Sequence, residues 1–226
     1  MIKHKYGLKK DTSDDRDFSF GDLIKEKQLS IPSEIDLRDK MPPIWEQKYS
    51  DCQSNAMDRI VSYLHDNNFN PSRLYTYYNI RSESNDTDKD SGATLRDSCK
   101  GVADFGVCKE EVWPYSSDIY TKPVDKSYTD GETRKISNYY RINNLTELKQ
   151  AMSLGHIPII GISIYQSFES DECMKTGIVP RPYGDLLGGH AVDVTAYHDN
   201  KTVCFLNDRF RSLTGIDSKG YVVIDN

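Results

Sequence analysis

A chain of 226 residues is long enough for one sizeable domain, or two small lobes, with a core of its own. Its net charge of -6 and mean hydropathy of -0.67 argue against nucleic acid or an anionic membrane as the main partner, and no apolar run approaches the ~20 residues of a spanning helix. The five cysteines, at 52, 99, 108, 173 and 204, are odd in number and include no C-x-x-C pair, so neither a disulfide framework nor a metal or cofactor site is expected, and a reducing compartment is the natural setting.

Residues 1–32 are charged and weakly periodic, and read as a regulatory or docking extension on the domain that occupies 33–226. Met1–Lys10 is basic but runs into Asp11-Thr12-Ser13-Asp14-Asp15 instead of the apolar core of a secretion signal. Past a turn at Ser30–Ser33, Glu34–Arg38 alternates apolar and charged residues as an edge strand does, until Met41-Pro42-Pro43 breaks it. Ile44–Tyr49 then leads into a strongly marked helix. Cys52, Ala56, Ile60 and Leu64 recur every four residues, with Met57 and Val61 beside them. Ser50 and Gln53 have the spacing of a capping box, and Asn67-Asn68-Phe69-Asn70-Pro71 stops the helix. Cys52 therefore falls in the first turn, where free backbone N–H groups and the positive dipole end favour a thiolate.

A second helix is expected from Ser72, turning Leu74, Tyr77 and Tyr78 inward. Ser82–Gly92 has no apolar residue to bury and reads as a solvated, mobile loop. A third helix over Thr94–Phe105 buries Leu95, Cys99 and Val102, with Gly106 as its stop. Residues 116–138 are polar and turn-rich, a candidate connection. Asn144 and Glu147 mark another helix start, and Gly155 its end. Strands follow at Ile157–Tyr165, His190–Tyr197, Thr202–Asn207 and Tyr221–Ile224. Helices first and strands later make an α+β protein, with a helical lobe at about 45–115, a strand-rich lobe at about 116–226, and a cleft between.

Gly188-Gly189-His190 sets a histidine at the mouth of a strand, after two residues that let another backbone approach. If the turn at Tyr197–Asn200 has four residues, His190 faces Asn207 across the hairpin; a two-residue turn at Asp199-Asn200 moves its partner to Arg209. Cys52 as nucleophile, His190 as base and Asn207 as the amide orienting the imidazole make a Cys–His–Asn triad. Gln47, five positions before Cys52, is the candidate oxyanion donor, because a glutamine amide has N–H groups and the adjacent Glu46 has none.

At these residues the sequence resembles the papain family of cysteine peptidases, particularly compact bacterial and viral members. Ile35-Asp36-Leu37-Arg38 is similar to the opening of the mature enzymes, Gln47…Cys52 to the oxyanion glutamine and nucleophile, and Gly189-His190-Ala191-Val192 with Asn207 to the remaining catalytic positions. Asp90–Asp97, with Gly106-Val107-Cys108 and Trp113-Pro114-Tyr115, resembles the segment bordering the substrate groove, which puts Gly92, Ala93 and Gly189 in substrate-binding places. The separations agree as well, 138 positions from Cys52 to His190 and 17 more to Asn207. The resemblance implies a two-lobe fold, helical on the left and β-barrel-like and antiparallel on the right. It implies a monomeric peptidase that acts on polypeptides through a Cys52 thioester without cofactor or metal, in the cytoplasm or a virion. Asp51 and Gln53 beside the nucleophile, and Asp208-Arg209-Phe210 after Asn207, depart from the family pattern. They carry the alternative of an impaired relative that keeps the cleft as a peptide-binding or structural module.

Overall fold

The structure, a computed structural model, describes residues 5–198, 202–206 and 220–224. Its elements are α1 (Phe20–Ile24), β1 (Glu34–Asp36), α2 (Cys52–Leu64), α3 (Arg73–Ser82), α4 (Leu95–Phe105), α5 (Asp125–Gly131), β2 (Asn138–Ile142), α6 (Leu145–Ser153), β3 (Pro158–Tyr165), α7 (Asp171–Thr176), β4 (Leu186–His198), β5 (Thr202–Leu206) and β6 (Gly220–Ile224). Helices thus dominate the first half and strands the second, as the sequence indicates. No helix among the described residues is long and apolar enough to cross a membrane.

The expected helices form, with local differences at their ends. Thr94 and Asp97 close a capping box on α4, Gly106 ends it at φ 70°, and the Asn144 side chain accepts from the Glu147 N–H at the start of α6. At α2 the cap lies one residue later than expected. Asp51 is the N-cap, and the Gln53 amide points away from the helix to the carbonyls of Gly7 and Ala93, both at 2.7 Å. A long amide serves two distant acceptors there instead of one near donor.

The polar run after α3 is also held differently from the open loop expected. Fully buried Arg81 donates from Nη1 to the carbonyls of Thr87 and Lys89, at 3.1 and 2.5 Å, and from Nη2 to that of Ile119. Asp90 accepts from the Tyr77 hydroxyl at 2.7 Å and the Ser50 N–H at 2.9 Å. What organises the run is a buried cation needing acceptors, a feature that apolar periodicity does not register.

The strands form one antiparallel sheet in the order β1-β4-β3-β6-β2, with β5 on the other edge of β4. Side-chain alternation divides the core between its faces. Ile157, Ile159, Ala191, Tyr221 and Val223 pack on α2 and α4 with Met57, Ile60, Cys99 and Val102. Ile160, Ile164, Val192, Val194 and Val222 pack on the opposite side with Leu148 and Met152 of α6. Phe20 and Ile24 of α1 are buried in that second cluster, so this part of the extension belongs to the core.

Candidate active site

Nearly every side of α2 is covered. Gln53, Ser54, Asp58, Arg59 and Ser62 are buried along with its apolar residues, so the helix runs through the molecule and delivers Cys52 to the boundary between the lobes. Across that boundary lies β4, whose Ala191 N–H donates to Cys52 Sγ at 3.4 Å. His190, one residue earlier on the strand, lines the same small cavity as Cys52 and Gln47. The strand thereby brings His190 to Gln47 and Cys52, which lie 138 or more positions earlier in the chain. Gln47 reaches it from a loop clamped by Arg73, which stacks 3.6 Å from the centre of the Tyr115 ring and donates to the Glu46 carbonyl at 2.8 Å and to Asn55 Oδ1 at 3.0 Å.

Asn207 lies outside the described residues. In the described part of the preceding hairpin His198 pairs with Thr202, so Ala196 pairs with Cys204 and not with Lys201. A bulge between Val194 and Ala196 then brings Asp193 opposite Leu206. The four-residue turn does not match this register, whereas Asp193 opposite Leu206 is the pairing that the two-residue turn gives, reached here through the bulge.

A strap, residues 5–9, occupies the cleft. Leu8 N–H donates to the Gly189 carbonyl, Lys9 N–H to the Ala93 carbonyl, and Ala93 N–H to the Gly7 carbonyl, at 2.9, 2.9 and 3.2 Å. Gln47 Nε2 donates to the Lys5 carbonyl at 3.0 Å and to the Tyr49 carbonyl at 2.7 Å. The Tyr6 ring stands edge-on to His190 with centroids 5.7 Å apart, and the Tyr6 hydroxyl donates to Glu169. Such an approach needs residues without side chains. A Cβ on Gly92, at φ 66°, would lie 1.6 Å from the Gly7 carbonyl oxygen, and one on Gly189 would lie 2.4 Å from that of Leu8. Gly92, Ala93 and Gly189, expected to border a substrate, are therefore engaged by the chain itself.

Covered in this way, Cys52 is 1% exposed. Burial pushes its thiol up to about 12, against the backbone N–H groups of Ala191, Gly7 and Gln53, while neighbouring Asp51 adds to the rise. The thiolate expected at a helix start is thus not favoured in this arrangement, since desolvation outweighs the first-turn donors. Asp51 is itself buried, and that burial holds its carboxyl above the usual range despite the Tyr115 hydroxyl that donates to it at 2.7 Å. Sequence reasoning missed the strap contacts, the Arg73 clamp and the Tyr115–Asp51 bond. Gly7 within a charged segment was the available sign of the first; nothing local signals the others.

A sheet-borne histidine that lines one cavity with a cysteine at the start of a buried helix, between a helical and a strand-rich half, is the architecture of papain-like proteins. The chain has that papain-like fold and is similar to divergent members of the family. No family model matches it. It is 31% identical over 183 residues to the uncharacterized peptidase C1-like protein L477 of Acanthamoeba polyphaga mimivirus, an alignment taking in 74% of this chain and 59% of that protein, so the chain spans about three fifths of this relative's length. Among solved structures, xylellain, a cysteine protease from Xylella fastidiosa, matches with a TM-score of 0.83 at 26% identity, over 100% of this chain and 99% of that one. A cysteine protease of Carica candamarcensis, solved in complex with E-64, shares the fold with a TM-score of 0.64 at 16% identity, over 87% of this chain and all of its own.

Proposed function

We propose that the chain is a cysteine peptidase whose strap keeps it closed. The observation carrying this reading is the meeting of Cys52, His190 and Gln47 on one cavity. Once the strap is displaced, water and substrate reach Cys52, desolvation of its thiol is relieved, and His190 takes the proton as Sγ attacks a peptide carbonyl. The carbonyl oxygen becomes an oxyanion that accepts from Gln47 Nε2, now released from Lys5. Collapse of this intermediate expels the amine, protonated by His190, and leaves a thioester that water hydrolyses. Asn207 is assigned the orienting role on His190. Substrate backbone takes the Ala93 and Gly189 groups that the strap now uses, which makes a polypeptide the substrate class.

The test is cleavage of a peptide library by the chain with its strap displaced, beside mass mapping of iodoacetamide adducts. Cleavage that disappears in Cys52→Ala, with Cys52 the first thiol labelled, supports the peptidase. A displaced strap with neither labelling nor cleavage favours the impaired, peptide-binding alternative.

A further inference from the structure

Between α2 and β4, close to the reacting pair, sits a buried ion pair that the chemistry above does not use. Arg59 donates from Nε to Asp193 Oδ2 at 2.8 Å, and the two side chains are 4% and 1% exposed. That bond occupies one of the five N–H groups of the guanidinium. Nη1 and Nη2 are also buried and have no hydrogen-bond partner among the described residues. Withdrawing such donors from water without a replacement acceptor is costly, so two on one side chain call for a physical reason.

The surroundings of Arg59 supply one. Arg59 and Asp193 line the same cavity as Cys52, His190, Gln47 and Trp45, with a volume of about 30 Å³, and no strap residue is among those lining it. A space of this size admits a water molecule or the head of a carboxylate whose stem stays outside it, and nothing much larger. Two guanidinium nitrogens side by side match the two oxygens of a carboxylate, and a low-dielectric setting strengthens that pairing.

We propose that Arg59 receives a carboxylate of the bound peptide, either its free C-terminal group or the side chain of an acidic residue, beside the reacting cysteine. That the bound peptide is a substrate rests on the peptidase reading; the carboxylate site does not. Asp193 holds the guanidinium from its Nε side and is a positioning residue. The preference conferred is for peptides with a negative group next to the bond attacked, in place of the indifference of an apolar wall.

The experiment is an NMR titration of the full chain, carried to high millimolar concentration, with acetyl-Gly, acetyl-Asp-amide and acetyl-Gly-amide. The first offers a terminal carboxylate, the second a side-chain carboxylate, and the third neither. One of the two carboxylates is expected to bind roughly tenfold or more tightly than the neutral amide, as expected of a charge-assisted pair; whichever binds better names the source. The double variant Arg59→Gln/Asp193→Asn, which leaves no lone buried charge, is expected to abolish the difference. Equal binding of all three compounds, or a difference that survives in the variant, overturns the proposal. Should the variant fail to fold, a crystal of the wild-type chain with the tighter compound decides: a carboxylate on Arg59 Nη1 and Nη2 supports the site, and one lodged elsewhere overturns it. Because binding is read without cleavage, an inert Cys52 in a chain that still binds carboxylate would overturn the peptidase alone.

Discussion

Cys52 illustrates how one atom's reactivity is set by what covers it. In the strapped chain burial holds its thiol at about 12, so at neutral pH almost none of it is thiolate. Iodoacetamide should therefore label the full chain slowly near pH 7 and faster as pH rises toward that value. Gly7→Ala gives the decisive contrast. Its added Cβ would lie 2.3 Å from the Ser50 carbonyl oxygen, so the strap cannot keep its path, and labelling of Cys52 at pH 7 should accelerate at least several-fold. An unchanged rate would mean that the strap does not control access. With the strap displaced, Gln47→Ala should lower kcat by about 10²–10³, the usual cost of one oxyanion donor. Glu46→Ala should do far less, because Arg73 holds Glu46 through its backbone carbonyl. The opposite ranking in steady-state kinetics would take the role away from Gln47.

At the scale of elements, the extension has two parts with different energetics. Residues 5–9 lie on the cleft through backbone hydrogen bonds and surface ion pairs such as Lys5–Asp90 and Lys9–Asp86; such pairs are worth little each. Helix α1, by contrast, buries Phe20 and Ile24 completely or nearly so against α6 and the sheet. A chain beginning at Lys10 should keep its fold and expose Cys52, whereas one beginning near Ile31 should lose stability by the order of a large core truncation. Phe20→Ala measures that contribution separately, at about 3–5 kcal/mol in denaturant unfolding. A loss below about 1 kcal/mol would show that α1 is an attachment and not part of the core.

Across the whole molecule, Asp17 joins the lobes. Its carboxylate accepts from Arg96 of α4 at 2.9 and 2.6 Å, from Arg141 of β2 at 2.9 Å and from the Tyr221 hydroxyl of β6 at 3.0 Å. Burial pushes this carboxyl upward, but the donors from Arg96, Arg141 and Tyr221 outweigh it, leaving it below the ordinary value of 3.8. Folding thus favours its ionised form. The resulting stabilisation is fully present above the unfolded value and is lost as pH falls through the lower folded one. Asp17→Asn should destabilise the chain at neutral pH and narrow its gap to wild type below about pH 4, as followed by thermal melts; a gap independent of pH would remove the ionic role.

Much of this arrangement is written in local patterns. Four-residue recurrence around Cys52 and the Thr94 and Asn144 helix starts depend on periodicity and capping, which act over a few residues and survive into the fold. Those signals were enough for the α+β order, and for Cys52, Gln47 and His190 as candidates. What the patterns could not carry were relations between distant segments. The capping role assigned to Gln53 gave way because acceptors on Gly7 and Ala93 compete for the same amide, and the hairpin register depended on a bulge no residue type announces. Nothing in the local pattern marks Arg59; the packing of α2 against β4 buries it beside Asp193. The state of Cys52 is likewise tertiary, since a helix start favours the thiolate and the strap's removal of water opposes it. Local sequence set which groups are present and on which element, while the tertiary structure decided their solvation, and with it their charge.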